Sequence, residues 1–550
     1  MYDFTWVLAE RRVDSIDSTD PRGGGRPALW APASDLEAGM TTTNGMRLAR
    51  PLAWTIALLV MLTGVALAQS SPDELRAAAE AAADDPRAWV ALGNALLDDE
   101  DPEAAKTAFL EAVAVDYRSC DGHYGLGLAE FGRGDYAAAL FAFNEVTRLC
   151  EERFDGHYNR GVTLARLRRP AEAAEAFREA IAQAEPEASA DDRVAAWVGV
   201  AGQRKGTGDY AAAASAYASA LQIRPTDDEL VFLQGDALWR AGSGLDALPD
   251  LIDLEGRVND YRVSALIADI YVGASQVDYA LRFLQRALNR AEASGDAKAR
   301  SNLLVKLGLL QRGLGRDGEA AASFREASQL DQSSWEAHYN LGVSLLEAGQ
   351  TSDALPALET AERLAPDSGE VALALASTYD LLGRPGEAYA VAQRALAALG
   401  DEAALTEARF IAGRSAYRLG DYSAALEQLE RVVDARPGDA SAQLWAGLAA
   451  YQQGDYAGAV PYYERAVQLD PNDVTARVNL GAAYLAAERY QDAETVYRLL
   501  VEQDGRDTES LYNLGWSLIG QERRGPARDV WASACDLGYR SACDALAEYF

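Results

Sequence analysis

From Trp89 onward, small and large side chains return in a fixed order, in most steps 34 residues apart. In the stretch WVALGNAL, Trp89 to Leu96, an aromatic and aliphatic face is followed by Gly93. One step of 34 residues puts Gly127, and a second puts Gly161, where Gly93 stood. Carried along the chain, the step marks thirteen segments. They begin at Pro86, Cys120, Phe154, Val194, Asp228, Tyr261, Ser301, Trp335, Gly369, Thr406, Ala440, Val474 and Thr508. Their eighth residue is Gly in ten segments and Ala in three, and their twentieth is Ala in all thirteen, as at Ala139, Ala213, Ala425 and Ala493. Those small residues predict a close helix crossing. Four residues after the Ala stands a large side chain in most segments, such as Phe109, Phe143, Phe177, Tyr217, Phe324, Tyr463, Tyr497 or Trp531, expected to fill the space between neighbouring pairs.

The punctuation fits two helices per segment. The tripeptide GDY recurs at Gly134, Gly208, Gly420 and Gly454. Its Gly permits the positive φ that ends one helix, its Asp begins the next, and its Tyr packs on the turn. Pro225, Pro366, Pro437 and Pro471 close second helices where no donor is needed. Extra residues precede Val194, Ser301 and Thr406, where longer loops or slight bends are expected.

The pattern W-x2-L-G-x2-(Y/L) at Trp89, with Ala105, Phe109 and Ala112 at matching offsets, resembles the tetratricopeptide repeat. The resemblance runs from Pro86 to the C-terminal end. It implies an all-α solenoid, a right-handed superhelix of antiparallel helix pairs. A lone pair cannot bury its apolar face, so neighbours stack into a continuous core. The array occupies residues 86–541. A helix from Asp73 to Ala83, within residues 69–85, is expected to cover its first repeat, and another from Ser541 to Phe550 its last, with the C-terminal cover placed at residues 542–550. No gap is large enough for a second globular domain, so one elongated superhelix is expected.

In this family the fifth, ninth and twelfth positions of the first helix usually face a groove. Here they would supply Tyr124, Phe131, Tyr158, Phe232, Trp239, Tyr339, Phe410, Tyr417, Tyr451, Tyr512 and Trp516. Arg240, Arg312, Arg414 and Arg418 would add cationic points nearby. Exposed aromatics and Arg are hot-spot types at protein interfaces. Each is equally open to a reading as packing between neighbouring first helices. The carboxylate clamp of some chaperone-binding members needs Lys, Asn, Asn, Lys and Arg over three repeats. Asn159, Asn340, Asn479 and Asn513 each match one Asn, but the preceding repeats offer apolar or aromatic residues, so the clamp is absent.

The N-terminus carries a different pattern. From Met46, Arg47 and Arg50 precede an uncharged apolar run from Pro51 to Leu67, and Ala66-Leu67-Ala68 forms an A-x-A site before Gln69. Residues 46–68 are thus expected to be a secretory signal peptide, with an uncleaved anchor as the alternative. Either way the rest of the chain is exported, to a periplasmic or extracellular location. Residues 1–45 show no helix or strand period and are expected to be a disordered leader. Translation starting at Met40 or Met46 would account for it.

Composition narrows the partners. The chain has 550 residues, a net charge of −33, and 49% hydrophobic against 25% charged residues, which is globular. Such a field repels phosphate backbones, so nucleic acid is not an expected partner, whereas basic proteins or peptides would be attracted.

Candidate chemistry is sparse. The three histidines, His123, His157 and His338, fall at the fourth position of a repeat, where Trp89 and Trp197 stand in others. They are expected to pack rather than bind metal, since no ligand cluster accompanies them. No nucleophile elbow, zinc motif, P-loop or EF-hand is present, so neither enzyme activity nor a cofactor is expected. Arg133-Gly134-Asp135 lies in a turn between helices and is expected to be only that turn. Cys120 opens a repeat and Cys150 ends its second helix, and an antiparallel hairpin brings those ends together, so a bond between them is reasonable. The C-x7-C spacing of Cys535 and Cys543 resembles the cysteine-rich Sel1-like repeats of secreted bacterial proteins, which implies a second pair. Export and an even count favour two disulfides, and four buried thiols remain the alternative.

The expected function is an exported scaffold that binds protein partners in an aromatic-lined groove. By resemblance, such scaffolds serve bacterial envelope assembly or secretion. The alternative is a periplasmic chaperone or carrier for apolar segments or lipids.

Overall fold

The computed structural model describes residues 71–183 and 188–550, which contain 28 α-helices and no strand. The leader and signal-peptide readings fall on residues 1–70, outside the described residues. Among the described residues, no helix is long and apolar enough to cross a membrane.

Two compact units divide the described chain after Gly295. The first holds α1 (Pro72–Ala81), α2 (Pro86–Asp98), α3 (Pro102–Val115), α4 (Cys120–Gly132), α5 (Tyr136–Leu149), α6 (Phe154–Arg166) and α7 (Pro170–Gln183). It continues with α8 (Ala190–Gly206), α9 (Tyr210–Ile223), α10 (Asp228–Arg240), α11 (Gly244–Arg257), α12 (Tyr261–Gly273) and α13 (Val277–Ser294). The second opens with α14 (Ala297–Gly313), α15 (Asp317–Leu330), α16 (Trp335–Glu347), α17 (Thr351–Leu364), α18 (Gly369–Leu381), α19 (Pro385–Ala398), α20 (Glu402–Arg418) and α21 (Tyr422–Ala435). It ends with α22 (Ala440–Gln452), α23 (Tyr456–Leu469), α24 (Val474–Ala486), α25 (Tyr490–Gln503), α26 (Thr508–Gly520), α27 (Arg524–Asp536) and α28 (Arg540–Tyr549).

Ten of the thirteen repeat starts read from the period coincide with helix starts. At Val194, Ser301 and Thr406 the helix begins four residues earlier, at Ala190, Ala297 and Glu402. The residues inserted there do not all form loop, as the period suggested. Each of α8, α14 and α20 gains a helical turn of four residues at its start, because Ser189, Asp296 and Asp401 provide new N-caps that accept the N–H of Asp192, Ala299 and Ala404.

The GDY turns behave as their residues dictate. Gly134, Gly208, Gly420 and Gly454 have φ between 77° and 84°. Asp135, Asp209, Asp421 and Asp455 each accept the N–H of the third residue after them, at 2.8–3.1 Å. Gly242, Gly315, Gly349 and Gly383 take the same left-handed site in four further turns, and Glu100, Arg168, Ser275, Glu488 and Glu522 take it in five others at φ of 57–62°.

Packing explains the period. The twentieth-position alanines are buried in every repeat. The eighth-position glycines have a more specific duty than a close helix crossing. A Cβ on Gly127 would stand 2.6 Å from the Phe143 ring, and one on Gly447 2.7 Å from Tyr463. The ring four residues after the Ala therefore fills the space that the Gly leaves on its own partner helix. It also reaches the next pair, since a Cβ on Gly125 would lie 2.1 Å from Phe109 of the preceding repeat. One buried ring thus joins two helix pairs, and burying it stabilises by about 1.5–3 kcal/mol. At the N-terminal end Ala79 of α1 packs with Leu92, Leu96 and Phe109, and at the C-terminal end Ala542 and Ala545 of α28 pack with Leu511 and Trp531.

Candidate functional site

The first helix of each pair carries every residue assigned to the groove. In the first unit these are Tyr124 and Phe131 on α4, Tyr158 on α6, and Phe232, Trp239 and Arg240 on α10. In the second they are Arg312 on α14, Tyr339 on α16, Phe410, Arg414, Tyr417 and Arg418 on α20, Tyr451 on α22, and Tyr512 and Trp516 on α26. They form no single cluster. Twelve are half-buried, while Arg414, Tyr417 and Tyr451 lie inside the packing at 6–7% exposure. Tyr417 packs on Trp445 and Tyr422, and Tyr451 on Tyr456 at 4.9 Å between ring centres. Burial raises the pKa of the Tyr451 phenol far above its ordinary value.

Arg240, Arg414 and Arg418 are engaged with carboxylates, whereas Arg312 lies 5.9 Å from the centre of the Phe324 ring. Arg240 Nε bonds Asp236 at 2.9 Å, and Lys205 approaches the same carboxylate. Arg414 and Arg418 both reach Asp380, a buried residue of α18. Arg414 also lies over the Phe410 ring, and Arg418 over Trp445. Sequence reasoning missed Asp380, although the signal was present. It occupies the twelfth position, where Phe131, Trp239, Tyr417 and Tyr451 stand in other repeats. An acid in an aromatic slot, 34 residues before an Arg, announces an ion pair between adjacent first helices.

Arg153 and Arg262 were missed as well, and both cover groove aromatics. The Arg262 guanidinium lies 5.0 Å from the centre of the Phe232 ring while paired with Glu229 and Asp260. That of Arg153 lies 4.3 Å from Tyr124, and Asn159 Nδ2 donates to Tyr124 Oη at 3.0 Å. Burial foremost, then the neighbouring Asp155 carboxylate, raises the Tyr124 pKa well above its ordinary value. Asn159 is thus engaged within the protein, and Asn340 likewise donates to the Glu336 carbonyl.

The histidines do more than fill an aromatic slot. His123 Nε2 pairs with the Tyr117 carbonyl at 2.8 Å and His157 Nε2 with that of Glu151 at 2.9 Å. Trp89 Nε1 donates to the Ala83 carbonyl at 3.2 Å. In all three the partner lies six residues upstream, in the turn before the helix. The fourth-position ring ties each helix to the turn that delivers it. Burial lowers the pKa of His338, against an opposing pull from the Gln332 backbone. No three His, Cys, Asp or Glu residues gather into a possible metal site among the described residues. In the Arg133-Gly134-Asp135 turn, Arg133 pairs with Glu103 and Glu130, and Asp135 caps α5. The Cα atoms of Cys120 and Cys150 stand 6.4 Å apart and those of Cys535 and Cys543 4.8 Å, both within bonding reach.

Two family models, both described as tetratricopeptide repeat, match the sequence. One matches residues 90–152, 124–189, 204–257, 305–352 and 412–474, and the other 345–409 and 450–514. No curated protein matches. Among solved structures, YrrB, described as a TPR protein with an unusual peptide-binding site, shares 24% identity over 34% of this chain and 95% of its own, with a TM-score of 0.31. MamA shares 23% identity over 31% of this chain and 92% of its own, with a TM-score of 0.28. A tetratricopeptide repeat protein from Parabacteroides merdae ATCC 43184 shares 16% over 45% and 97%, with a TM-score of 0.31. At these values they say nothing about function.

Proposed function

The chain belongs to the tetratricopeptide-repeat family, whose members serve protein–protein interaction, and from that premise we propose an exported, non-catalytic scaffold that holds protein partners on its first helices. The observation that carries this reading is the set of half-buried aromatics at recurring first-helix positions. Tyr124 and Phe232 each lie beneath a guanidinium. The half-buried rings that keep an open face offer apolar area at little entropic cost, a type suited to protein hot spots. The net charge of −33 supports partners with basic surfaces and disfavours nucleic acid.

Export is proposed from the basic, apolar and A-x-A segments of residues 46–68. Two disulfides, Cys120–Cys150 and Cys535–Cys543, accord with that compartment and with the short Cα separations. A place in bacterial envelope assembly or secretion is the corresponding role.

Crosslinking followed by pull-down from the native envelope tests the scaffold. One stable co-purifying protein is expected, and Phe232→Ala with Trp239→Ala should weaken it by at least about tenfold, as for interface anchors. Capture undiminished by both changes would remove this face from the interface. Broad, weak capture of many unfolded chains would instead indicate a carrier.

A further inference from the structure

The turn that follows Cys150 carries Arg153 across the seam between two repeats. Its guanidinium makes three engagements at once. Nη1 bonds Asp121 at 2.7 Å, Nε and Nη2 bond the two Asp155 oxygens at 2.7 and 3.1 Å, and the group lies over the Tyr124 ring. Asp121 adjoins Cys120, and the Arg153 N–H bonds the Cys150 carbonyl at 3.0 Å. The cysteine pair therefore fixes both flanks of the turn. Cys120 sits at the start of α4, one helical turn before Tyr124, and Cys150 at the end of α5.

We propose that the Cys120–Cys150 pair is a redox-sensitive latch that seats Arg153 over Tyr124 and so closes this part of the aromatic face. The inference rests on the reading that the two cysteines are bonded. With the bond made, the turn is tied to the helix it covers. Without it, His157 and the Asp155 pair hold the turn to the next helix, and its tie back to α4 is the Asp121 pair, which is largely exposed and therefore screened and weak. A dithiol protein of the same exported compartment is the reductant. One of its thiolates attacks one sulfur and breaks the bond between Cys120 and Cys150, forming a mixed disulfide. Its second thiol then closes the reductant's own disulfide. Two electrons and two protons pass to Cys120 and Cys150, which become thiols. Arg153 can then leave Tyr124, exposing the ring and the Asp155 carboxylate together, with the hydroxyl still reached by Asn159 Nδ2. That surface would suit a partner's basic or amide side chain.

The test needs no partner, so it stands or falls apart from the scaffold reading. The full exported chain is treated with N-acetylimidazole, and acetylation of Tyr124 is followed by mass spectrometry. Three forms are compared: the oxidised chain, the chain reduced with dithiothreitol and capped with iodoacetamide, and Cys120→Ser/Cys150→Ser. Tyr124 is expected to react about tenfold faster in the second and third forms, as for local opening of a turn, while Tyr158 on the next helix keeps its rate. Arg153→Gln should make Tyr124 fast whether or not the bond is present. Circular dichroism that keeps its helical signal shows that the hairpin has not unfolded. Should the double Ser variant fail to fold, the reduced and capped chain carries the comparison. Full alkylation of both cysteines without reductant would overturn the proposal. So would a Tyr124 rate that responds to Arg153→Gln but not to reduction.

Discussion

Replacing Asp380 with Ala removes the carboxylate that holds two guanidinium groups between α18 and α20. The Asp380 side chain is 4% exposed, that of Arg414 7% and that of Arg418 24%. Removing one partner of a buried ion pair costs about 3–5 kcal/mol, because the remaining charge keeps its desolvation cost while losing that carboxylate. Arg414 accounts for nearly all of this. Arg418 reaches solvent over a quarter of its side chain, and so contributes at most about 1 kcal/mol. Repeat arrays do not unfold as one unit, so a global midpoint would blur the effect. Amide hydrogen exchange in α18 and α20 reads it locally, where protection should fall by about 2 to 3.5 orders of magnitude. The double change Asp380→Leu/Arg414→Met should recover most of that loss, since apolar groups of similar volume often replace a buried ion pair at little cost. A loss under about tenfold in the single variant would refute the account, as that equals only about 1.4 kcal/mol. A double variant no better protected than the single would refute it as well.

Other perturbations test separate parts of the fold. Tyr463 is fully buried and its hydroxyl has no hydrogen-bond partner among the described residues. Because Phe fills the same slot at Phe109, Phe143 and Phe324, Tyr463→Phe should be neutral or stabilise α23 by about 1 kcal/mol in amide hydrogen exchange. Glu488 sits at φ 59°, so Glu488→Gly should stabilise its turn by about 1 kcal/mol in local hydrogen exchange, whereas Gly454→Ala at φ 84° should destabilise by a similar amount. His338 titrates below its ordinary value of 6.5 because burial favours the neutral ring. Its unfolded form then binds the proton more strongly, so its contribution is complete above about pH 6.5 and is lost as pH falls through the lower folded value. Unfolding of α16 should become easier over that acid range, and His338→Gln should flatten the dependence in exchange measurements.

The repeat register was legible because the same steric problem recurs thirteen times in one dimension. Each second helix brings an Ala and, in most repeats, a ring to meet a Gly or Ala of the first, so small and large positions had to repeat at a fixed offset. The turns were legible for a similar local reason, since Gly134-Asp135-Tyr136 supplies its own left-handed residue, cap and cover. The extra helical turns of α8, α14 and α20 were harder to read. Their N-caps lie outside the repeating frame, and the same residues could have remained loop.

The candidate site was only half legible. Position along the first helix identified which aromatics lie on that face, but it could not decide how much of each ring another side chain covers. Phe232 and Tyr124 are covered by arginines that come from the following turn or helix, while Tyr417 and Tyr451 are withdrawn by packing on Trp445 and Tyr456. By itself the sequence determined the all-helical repeat, its register and its glycine-to-ring complementarity, because those follow from contacts at constant separation along the chain. Only the tertiary structure decided which charges are neutralised and which rings stay open. Those outcomes depend on angles and distances between neighbouring helix pairs, where a shift of a few ångströms moves an arginine between solvent, a carboxylate and the face of a ring.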